Sequence, residues 1–202
     1  MPSPPTAIAG LSDASPALGR ISCHAVEERR WVTTELAVSP EGSGISGEPF
    51  EWRVSIADVV ADGPFSRFPG YDRHIMVIEG AGMVLDIEGR GEIDLSRPFL
   101  PMSFSGDWEV RGRLALGPVR DFNLMVLRSF ARSAMSVEMV AARKLFSPDG
   151  TMRLIHVLED EITANGHIVA AGETITLEKD EAAEMKPLGQ PARLAVCRIW
   201  PL

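Results

Sequence analysis

Cysteine, lysine and tyrosine are scarce in this 202-residue chain, and its hydrophobic residues form no long unbroken run. Cys23 and Cys197 stand far apart, so they cannot supply the disulfide framework of a small secreted domain. No stretch approaches the roughly 20 apolar residues that a membrane-spanning helix needs. Residues 1–18, rich in Pro, Ser and Ala, lack the basic start and apolar centre of a secretory signal. We therefore expect a soluble, cytoplasmic protein without a membrane partner.

Positive charge is also in short supply. Lys and Arg together number 20 against 28 Asp and Glu, which gives a net charge of −8. Because nucleic-acid affinity depends largely on basic side chains that neutralise phosphates, we expect no nucleic-acid partner. Hydrophobic residues make up 45% of the chain, enough for a substantial core. The length suits one compact domain, or two small halves that share a core.

Short apolar or alternating segments recur along the chain, separated by turns that contain glycine. No window keeps a helical period for three turns, so the pattern predicts an all-β barrel or sandwich. In the first part of the chain, strands are predicted at 20–25, 32–38, 51–58, 74–79, 82–87, 91–95, 102–104, 108–114, 121–127 and 134–140. In the last part they are predicted at 151–158, 161–164, 167–170, 173–177, 182–187 and 192–199.

A weak internal repeat indicates two similar halves. The segment HIMVIEGAGMVL (74–85) resembles RLIHVLEDEITA (153–164): each is a strand that ends in Ile-Glu or Leu-Glu, a tight turn, and a second strand. A chance similarity between two β-hairpins would look the same. We predict a leader at 1–18, a first half at 19–137 and a second half at 138–202.

The segment FEWRVSIADVVADGPFSRFPGYDRHIMVIEGAG (50–82) contains the most informative polar residues. Arg53 and Ser55 alternate with apolar neighbours, so they should share one face of a strand. Arg73 begins the next long strand, and Asp121 and Asn123 share a face of a later one. Together these side chains would offer a carboxylate-binding site, because guanidinium groups bind carboxylates with two parallel hydrogen bonds. The alternative is that these faces meet solvent, or that Arg53 and Asp121 form a structural ion pair.

Aromatic residues surround the same region, among them Trp52, Phe65 and Phe68. Phe65 and Phe68 lie in the predicted loop DGPFSRFPG, and loops at barrel mouths commonly form binding surfaces. We include all three as candidate ligand contacts. The alternative, that they anchor the core and the loop, follows from the dominant role of aromatics in β-sheet packing.

The motifs W-R-x-S-I-A, D-G-P-F-S-R-F-P-G-Y-D-R and D-F-N-L-M resemble the HutD/Ves family of bicupins. The resemblance implies a tandem cupin fold, with two β-barrel or jelly-roll halves packed as one compact unit, and an association with bacterial histidine-utilisation operons. It implies ligand sensing or regulation and no established catalytic activity. One departure concerns a glycine-rich stretch of the form W-K-N-G-G-G, which is missing here because Trp31 runs almost directly into Thr34 and Glu35.

Metal and catalytic motifs are weak. The cupin metal box needs two histidines one residue apart, but His74 has no such partner, and His24, His156 and His167 are scattered. Transition metals require three or four converging ligands, so we expect no metal and no other cofactor. No catalytic residue is assigned. We expect a metal-free bicupin that binds a small carboxylate-bearing metabolite of histidine catabolism. A small isomerase or hydrolase using Asp121, Glu79 or His74 as acid and base is the alternative, and a homodimer is an open possibility.

Overall fold

The structure, a computed structural model, describes residues 19–20, 24–28, 31–44 and 49–202. These residues form antiparallel strands and turns and include no helix. The strands up to the middle of the chain are β1 (Gly19–Arg20), β2 (His24–Glu28), β3 (Trp31–Ser39), β4 (Trp52–Val59), β5 (Gly63–Pro64), β6 (Tyr71–Glu79), β7 (Met83–Ile87), β8 (Gly91–Asp94), β9 (Met102–Ser105), β10 (Val110–Leu114) and β11 (Val119–Leu127). The remaining strands are β12 (Ala131–Val140), β13 (Lys144–Phe146), β14 (Met152–Glu159), β15 (Ile162–Ala164), β16 (His167–Val169), β17 (Thr174–Leu177), β18 (Ala183–Pro187) and β19 (Ala192–Pro201).

The first half is a sandwich of two sheets. A six-stranded sheet has the order β2-β3-β4-β11-β6-β9, and a four-stranded sheet has the order β5-β10-β7-β8. Buried apolar side chains from both sheets, including Ile75, Leu85 and Phe104, fill one end of the space between them. We call the space between these two sheets the first interior.

The second half repeats this arrangement. A five-stranded sheet has the order β1-β17-β14-β19-β12, and a four-stranded sheet has the order β13-β18-β15-β16. Its own core, which includes Ile155, Val157 and Val196, fills what we call the second interior. Strands β6 and β7 and the turn between them correspond to β14, β15 and their turn, as the repeated segments predicted. In each half this turn leads from one sheet to the other, so the two strands do not pair as a hairpin. The all-β tandem architecture is therefore confirmed.

Two strands from outside the predicted second half pair within its sheet. Strand β12, which contains the division predicted between residues 137 and 138, pairs along its whole length with β19. The division itself stays a prediction. Strand β1 pairs with β17 and thus also belongs to that half's sheet. The predicted leader at 1–18 lies outside the described residues.

A continuous apolar layer joins the two halves. The first half contributes Val54, Phe122 and Leu124, and the second contributes Leu154 and Cys197. Each of these residues alternates along its strand with a residue that faces the interior of its own half, so these strands are buried on both faces. Burial also raises the pKa of the Cys197 thiol to about 12.

The predicted strands agree closely with the observed ones. The short strands β5 and β13 were not predicted, because two or three residues cannot display a period. The first predicted strand at 20–25 corresponds to β1 and β2, with residues 21–23 outside the described ranges. The Gly80–Gly82 segment forms the predicted turn between β6 and β7, and both glycines have positive φ angles, 99° and 96°.

We predict that Phe122→Ala lowers the free energy of unfolding by about 3–5 kcal/mol, the usual cost of removing a buried Phe. Phe122 is fully buried between the halves, and its ring packs 5.3 Å from the imidazole of His156. Because this layer is shared, both halves should unfold in one transition at lower denaturant concentration. Urea unfolding followed by fluorescence and far-UV circular dichroism measures this, with Leu116→Ala at an exposed turn as the control. A first half that unfolds while the second remains intact would contradict the prediction.

Candidate functional site

The candidate site is a group of polar side chains in the first interior. Strands β4, β11 and β6 lie side by side, and Asn123 on β11 pairs in register with Ser55 on β4. Met125, two residues further along β11, pairs with Arg53 on one side and Arg73 on the other. The structure therefore brings together most of the residues that sequence reasoning selected. We call this group the polar cluster; it consists of Glu35, Arg53, Ser55, Arg73, Asp121 and Asn123.

Trp52 does not belong to the cluster. It is buried in the apolar layer between the halves, together with Val54. The two residues are two positions apart on β4 and share one face of the strand. Because consecutive strand residues point to opposite faces, Trp52 cannot share the face of Arg53 and Ser55. Trp52 therefore packs as a core residue of the apolar layer, and its assignment as a ligand contact stays a prediction.

Asp121 is the most unusual member. Its side chain is only 1% exposed, and Asn123 donates a hydrogen bond from Nδ2 to its Oδ1 atom. The Oδ2 atom is buried and has no hydrogen-bond partner among the described residues. Desolvation raises the pKa of Asp121 from 3.8 to about 7, although the positive charge of Arg73 opposes this shift. Asp121 therefore exchanges its proton close to neutral pH.

Arg73 is fully buried among aromatic rings. Its guanidinium carbon lies 5.5 Å from the ring centres of Phe65 and Phe68 and 4.9 Å from that of Phe104. Nη2 donates to Asn123 Oδ1 at 3.3 Å, and Nη1 donates to the Ser66 carbonyl at 3.2 Å. Nε has no partner among the described residues. Burial lowers the pKa of Arg73 to about 10, so the group remains charged at neutral pH.

Arg53 forms an ion pair with Glu35, whose Oε2 atom lies 3.0 Å from Nε. The two atoms are close but not aligned as a hydrogen bond, so both retain hydrogen-bonding capacity. The predicted alternative, an ion pair between Arg53 and Asp121, is wrong, because the partner of Arg53 is Glu35. Glu35 was not selected as a site residue, although the Thr34-Glu35 segment after Trp31 was noted. Without the glycine-rich stretch, Trp31 starts β3 directly, and β3 carries Glu35 to the position opposite Ser55.

Phe65 and Phe68 support Arg73 and also anchor their loop. Phe65 lies so close to Gly112 that a Cβ atom there would be 2.7 Å from its ring. Phe68 packs against Phe50 and Tyr71, with ring centres 6.1 Å and 6.2 Å away. The two rings therefore contact Arg73 and also pack against their neighbours, so the geometry is compatible with either predicted role, ligand contact or structural anchor.

His74 lies apart from the polar cluster, on the face of β6 that meets the second half. Its ring nitrogens form hydrogen bonds with Ser103 at 2.7 Å and with Ser133 of β12 at 2.9 Å. Burial lowers its pKa, which the negative charge of Asp72 partly opposes. Across the described residues, no group of three or more His, Cys, Asp or Glu side chains converges as metal ligands would. The expectation of a metal-free protein stays a prediction.

Comparison with known proteins identifies the family. The HutD family model matches residues 24–195. The chain belongs to the HutD family. An uncharacterised 21.2 kDa protein encoded in the hutC 3′ region of Pseudomonas putida is 44% identical over 95 residues, which cover 46% of this chain and 47% of that relative. The match thus spans about half the length of the relative.

Solved structures agree with this assignment. HutD from Pseudomonas fluorescens SBW25, determined in a formate condition, matches with a TM-score of 0.75 and 28% identity over 92% of this chain and 100% of its own. A Cupin 2 conserved barrel domain protein from Leptotrichia buccalis matches with a TM-score of 0.56 and 11% identity, over 85% of this chain and 90% of its own. The fold is therefore a tandem cupin fold, as predicted. The HutD family is associated with histidine utilisation.

The described part of the chain contains no helix that is long and apolar enough to cross a membrane.

We predict that Asp121→Asn changes the pH dependence of stability. Folded Asp121 keeps its proton up to about pH 7, whereas an ordinary Asp loses it near pH 3.8. A raised carboxyl pKa means that the native state binds more protons, so its stability falls as pH rises between these values. The free energy of unfolding of the variant, minus that of the wild type, should rise by about 2–4 kcal/mol between pH 4 and pH 7.

Urea unfolding at several pH values measures this difference, in which the contributions of His74 and His156 cancel. Asp180→Asn makes the same change in an exposed turn and is the matched control. A flat difference for Asp121→Asn would mean that Asp121 ionises normally in the folded protein.

Proposed function

We propose that this HutD-family protein binds a small acidic metabolite in the first interior and acts as a regulatory or accessory protein of histidine catabolism. The observation that carries the proposal is a set of buried polar atoms in the polar cluster that have no hydrogen-bond partner among the described residues. Arg53 Nε and Arg73 Nε are donors, Glu35 Oε2 is an acceptor, and Asp121 Oδ2 accepts when its carboxyl is ionised and donates when it holds the proton. Arg53 Nε and Glu35 Oε2 also form an ion pair with each other, so the need for a further partner is greatest at Arg73 Nε and Asp121 Oδ2. Buried polar groups normally find partners, so unmatched atoms of both kinds in one interior favour a ligand that supplies them.

The chemistry of these atoms narrows the ligand class. A guanidinium N–H favours a carboxylate oxygen, and a carboxylate such as that of Asp121 accepts from an N–H or O–H group. A ligand with both a carboxylate and an N–H group would satisfy both needs. Urocanate and formylated glutamate have this combination, and the family's association with histidine utilisation makes them the first compounds to test.

The aromatic surroundings of Arg73 give the proposal a physical basis for selectivity. Three rings enclose its guanidinium group, which excludes water and strengthens any charge-assisted hydrogen bond that it forms. Its two Nη atoms already donate to Ser66 and Asn123, so Arg73 is held in one orientation before a ligand arrives. Such preorganisation lowers the cost of binding.

We predict that Arg53→Ala weakens binding of urocanate or formylglutamate by about 1.5–3 kcal/mol, the usual contribution of a hydrogen bond to a charged group. Arg53→Lys should restore only part of the affinity, because an ammonium keeps the charge but loses the planar fork. Isothermal titration calorimetry measures both. Arg113→Ala, which removes an exposed Arg that pairs with Asp86 and Glu92, is the control.

Removal of Arg53 alone also leaves Glu35 buried without its ion-pair partner, which by itself destabilises the fold. The double variant Glu35→Gln/Arg53→Ala separates the two effects, because it removes both charges. If the double variant regains stability and still binds weakly, the Arg53–Glu35 pair contributes to ligand binding and not only to the fold. Unchanged affinity in a destabilised Arg53→Ala protein would show that Arg53 only supports the fold.

A small metal-independent enzyme is the second candidate, and the state of Asp121 is the observation that favours it. A carboxyl group with a pKa of about 7 can donate and accept protons at neutral pH, as a general acid or base must. NMR spectroscopy of each candidate metabolite with stoichiometric protein would reveal any conversion. Turnover that Asp121→Asn abolishes would replace the binding proposal with the enzymatic one.

A further inference from the structure

The second interior contains a buried guanidinium group that the first site does not use. Arg153 on β14 is 4% exposed and lies on the same face of its strand as Ile155 and Val157, which form the core of the second half. Its Nη2 atom donates to the Ser147 carbonyl at 2.7 Å and forms an ion pair with Asp149. Its Nε and Nη1 atoms are buried and have no hydrogen-bond partner among the described residues.

A second cation lies next to it. Arg198 on β19 pairs in register with Arg153 and is on the same strand face as Val196, so it too points toward the second interior. Arg198 donates to Ser136 Oγ at 3.1 Å and to Glu138 Oε1 at 2.9 Å.

The carboxylates nearby do not balance the cations. Glu138 is shared with Lys144, so one carboxylate serves two cations there. Among the cations of the described residues, Asp149 pairs with Arg153 only. Within this group, three cations therefore face two carboxylates, and the group carries an excess positive charge.

The internal repeat shows that Arg153 is the counterpart of Arg73. In the first half, Arg120 and Glu79 form an ion pair at an irregularity in the pairing of β11 with β6. Arg193 and Glu159 form the same pair at the corresponding irregularity between β19 and β14. Arg73 lies six residues before Glu79, and Arg153 lies six residues before Glu159. Both donate to the carbonyl of a serine in the preceding loop.

The environments of the two arginines differ on the neighbouring strand. Asp121 and Asn123 lie one and three residues after Arg120. The residues one and three positions after Arg193 are Leu194 and Val196, both fully buried. Arg73 thus has a carboxyl and an amide beside it, whereas Arg153 has apolar side chains there. A ligand of Arg153 would meet a positive charge at one end and an apolar surface at the other.

We propose that the second half has its own binding site for a small monocarboxylate with an apolar body, formed by Arg153 and Arg198 at the edge of the second interior. The carboxylate accepts from the unpartnered N–H groups of Arg153 and offsets the excess positive charge. The apolar body packs toward Leu177, the buried neighbour of Arg153 on β17. This site does not depend on the ligand proposed for the first half.

The test uses the full-length protein, ¹⁵N-labelled, titrated with butyrate while the arginine Nε–H signals are followed by NMR. The Nε–H signal that disappears in Arg153→Gln identifies Arg153. In the wild type this signal should shift with butyrate until it saturates. Arg153→Gln should weaken butyrate binding at least about tenfold, the lower end of the effect of losing a hydrogen bond to a charged group. Arg113→Ala, at an exposed position in the first half, should leave the Arg153 signal and its titration unchanged.

Arg198→Gln, at a less buried position, provides a second variant if Arg153→Gln does not fold, and it should weaken butyrate binding as well. The proposal is overturned if the Arg153 signal does not respond to butyrate, or if both variants bind butyrate as the wild type does. Inorganic phosphate serves as the comparison anion. Binding of phosphate as tight as that of butyrate would overturn the assigned ligand class, because phosphate cannot use the apolar surface. A response to butyrate only at first-half arginines would leave the first site standing and remove this one.

Discussion

The apolar layer between the halves controls where the polar residues of this protein point. Phe122 and Leu124 are fixed in that layer by residues of the second half, and Asp121 and Asn123 alternate with them on the same strand. A slip of one residue in the pairing of β11 would exchange the two sets, which would bury a carboxylate in the layer and an aromatic ring in the interior. The register that joins the halves therefore also builds the polar cluster, although the side chains of the cluster lie on the opposite face of the strands from the layer.

This dependence explains how much could be predicted. Two-residue alternation is a local property, so the sequence alone was sufficient to group Arg53 with Ser55 and Asp121 with Asn123, and to predict most strands. The same rule places Trp52 on the strand face opposite to Arg53, whereas it became a candidate contact because it is one of several aromatic residues in this region. The pattern of short strands and turns did not distinguish a barrel from a sandwich. The tandem cupin arrangement was predicted from the family resemblance.

The residues that were missed depend on irregular or non-local features. In β3 the pairing with β4 shifts between Glu35 and Ala37, so both Leu36 and Ala37 are buried in the apolar layer while Glu35 faces the interior. A bulge of this kind adds one residue to a strand and cannot be read from a short alternating pattern. Arg153 was missed because its partners, Ser147 and Asp149, come from a loop with no motif, and its neighbour Arg198 is distant in sequence.

The two halves share the same strand arrangement and differ in the side chains that fill it. The Arg–Glu pairs at Arg120 and Arg193 occupy equivalent positions and are partly exposed, which fits a role at the rim of each sandwich. The buried positions next to them have diverged, from Asp121 in one half to Leu194 in the other. Burying an ionisable group is costly unless it is paired, and the first half buries Arg73 and two acids in one interior, with Arg53 mostly buried beside them. A fold that needed only stability could have used apolar residues there, as the second half does at Leu194 and Val196. The polar groups of the first interior therefore cost stability, and this cost is consistent with the binding role proposed for them, which an apolar core could not fulfil.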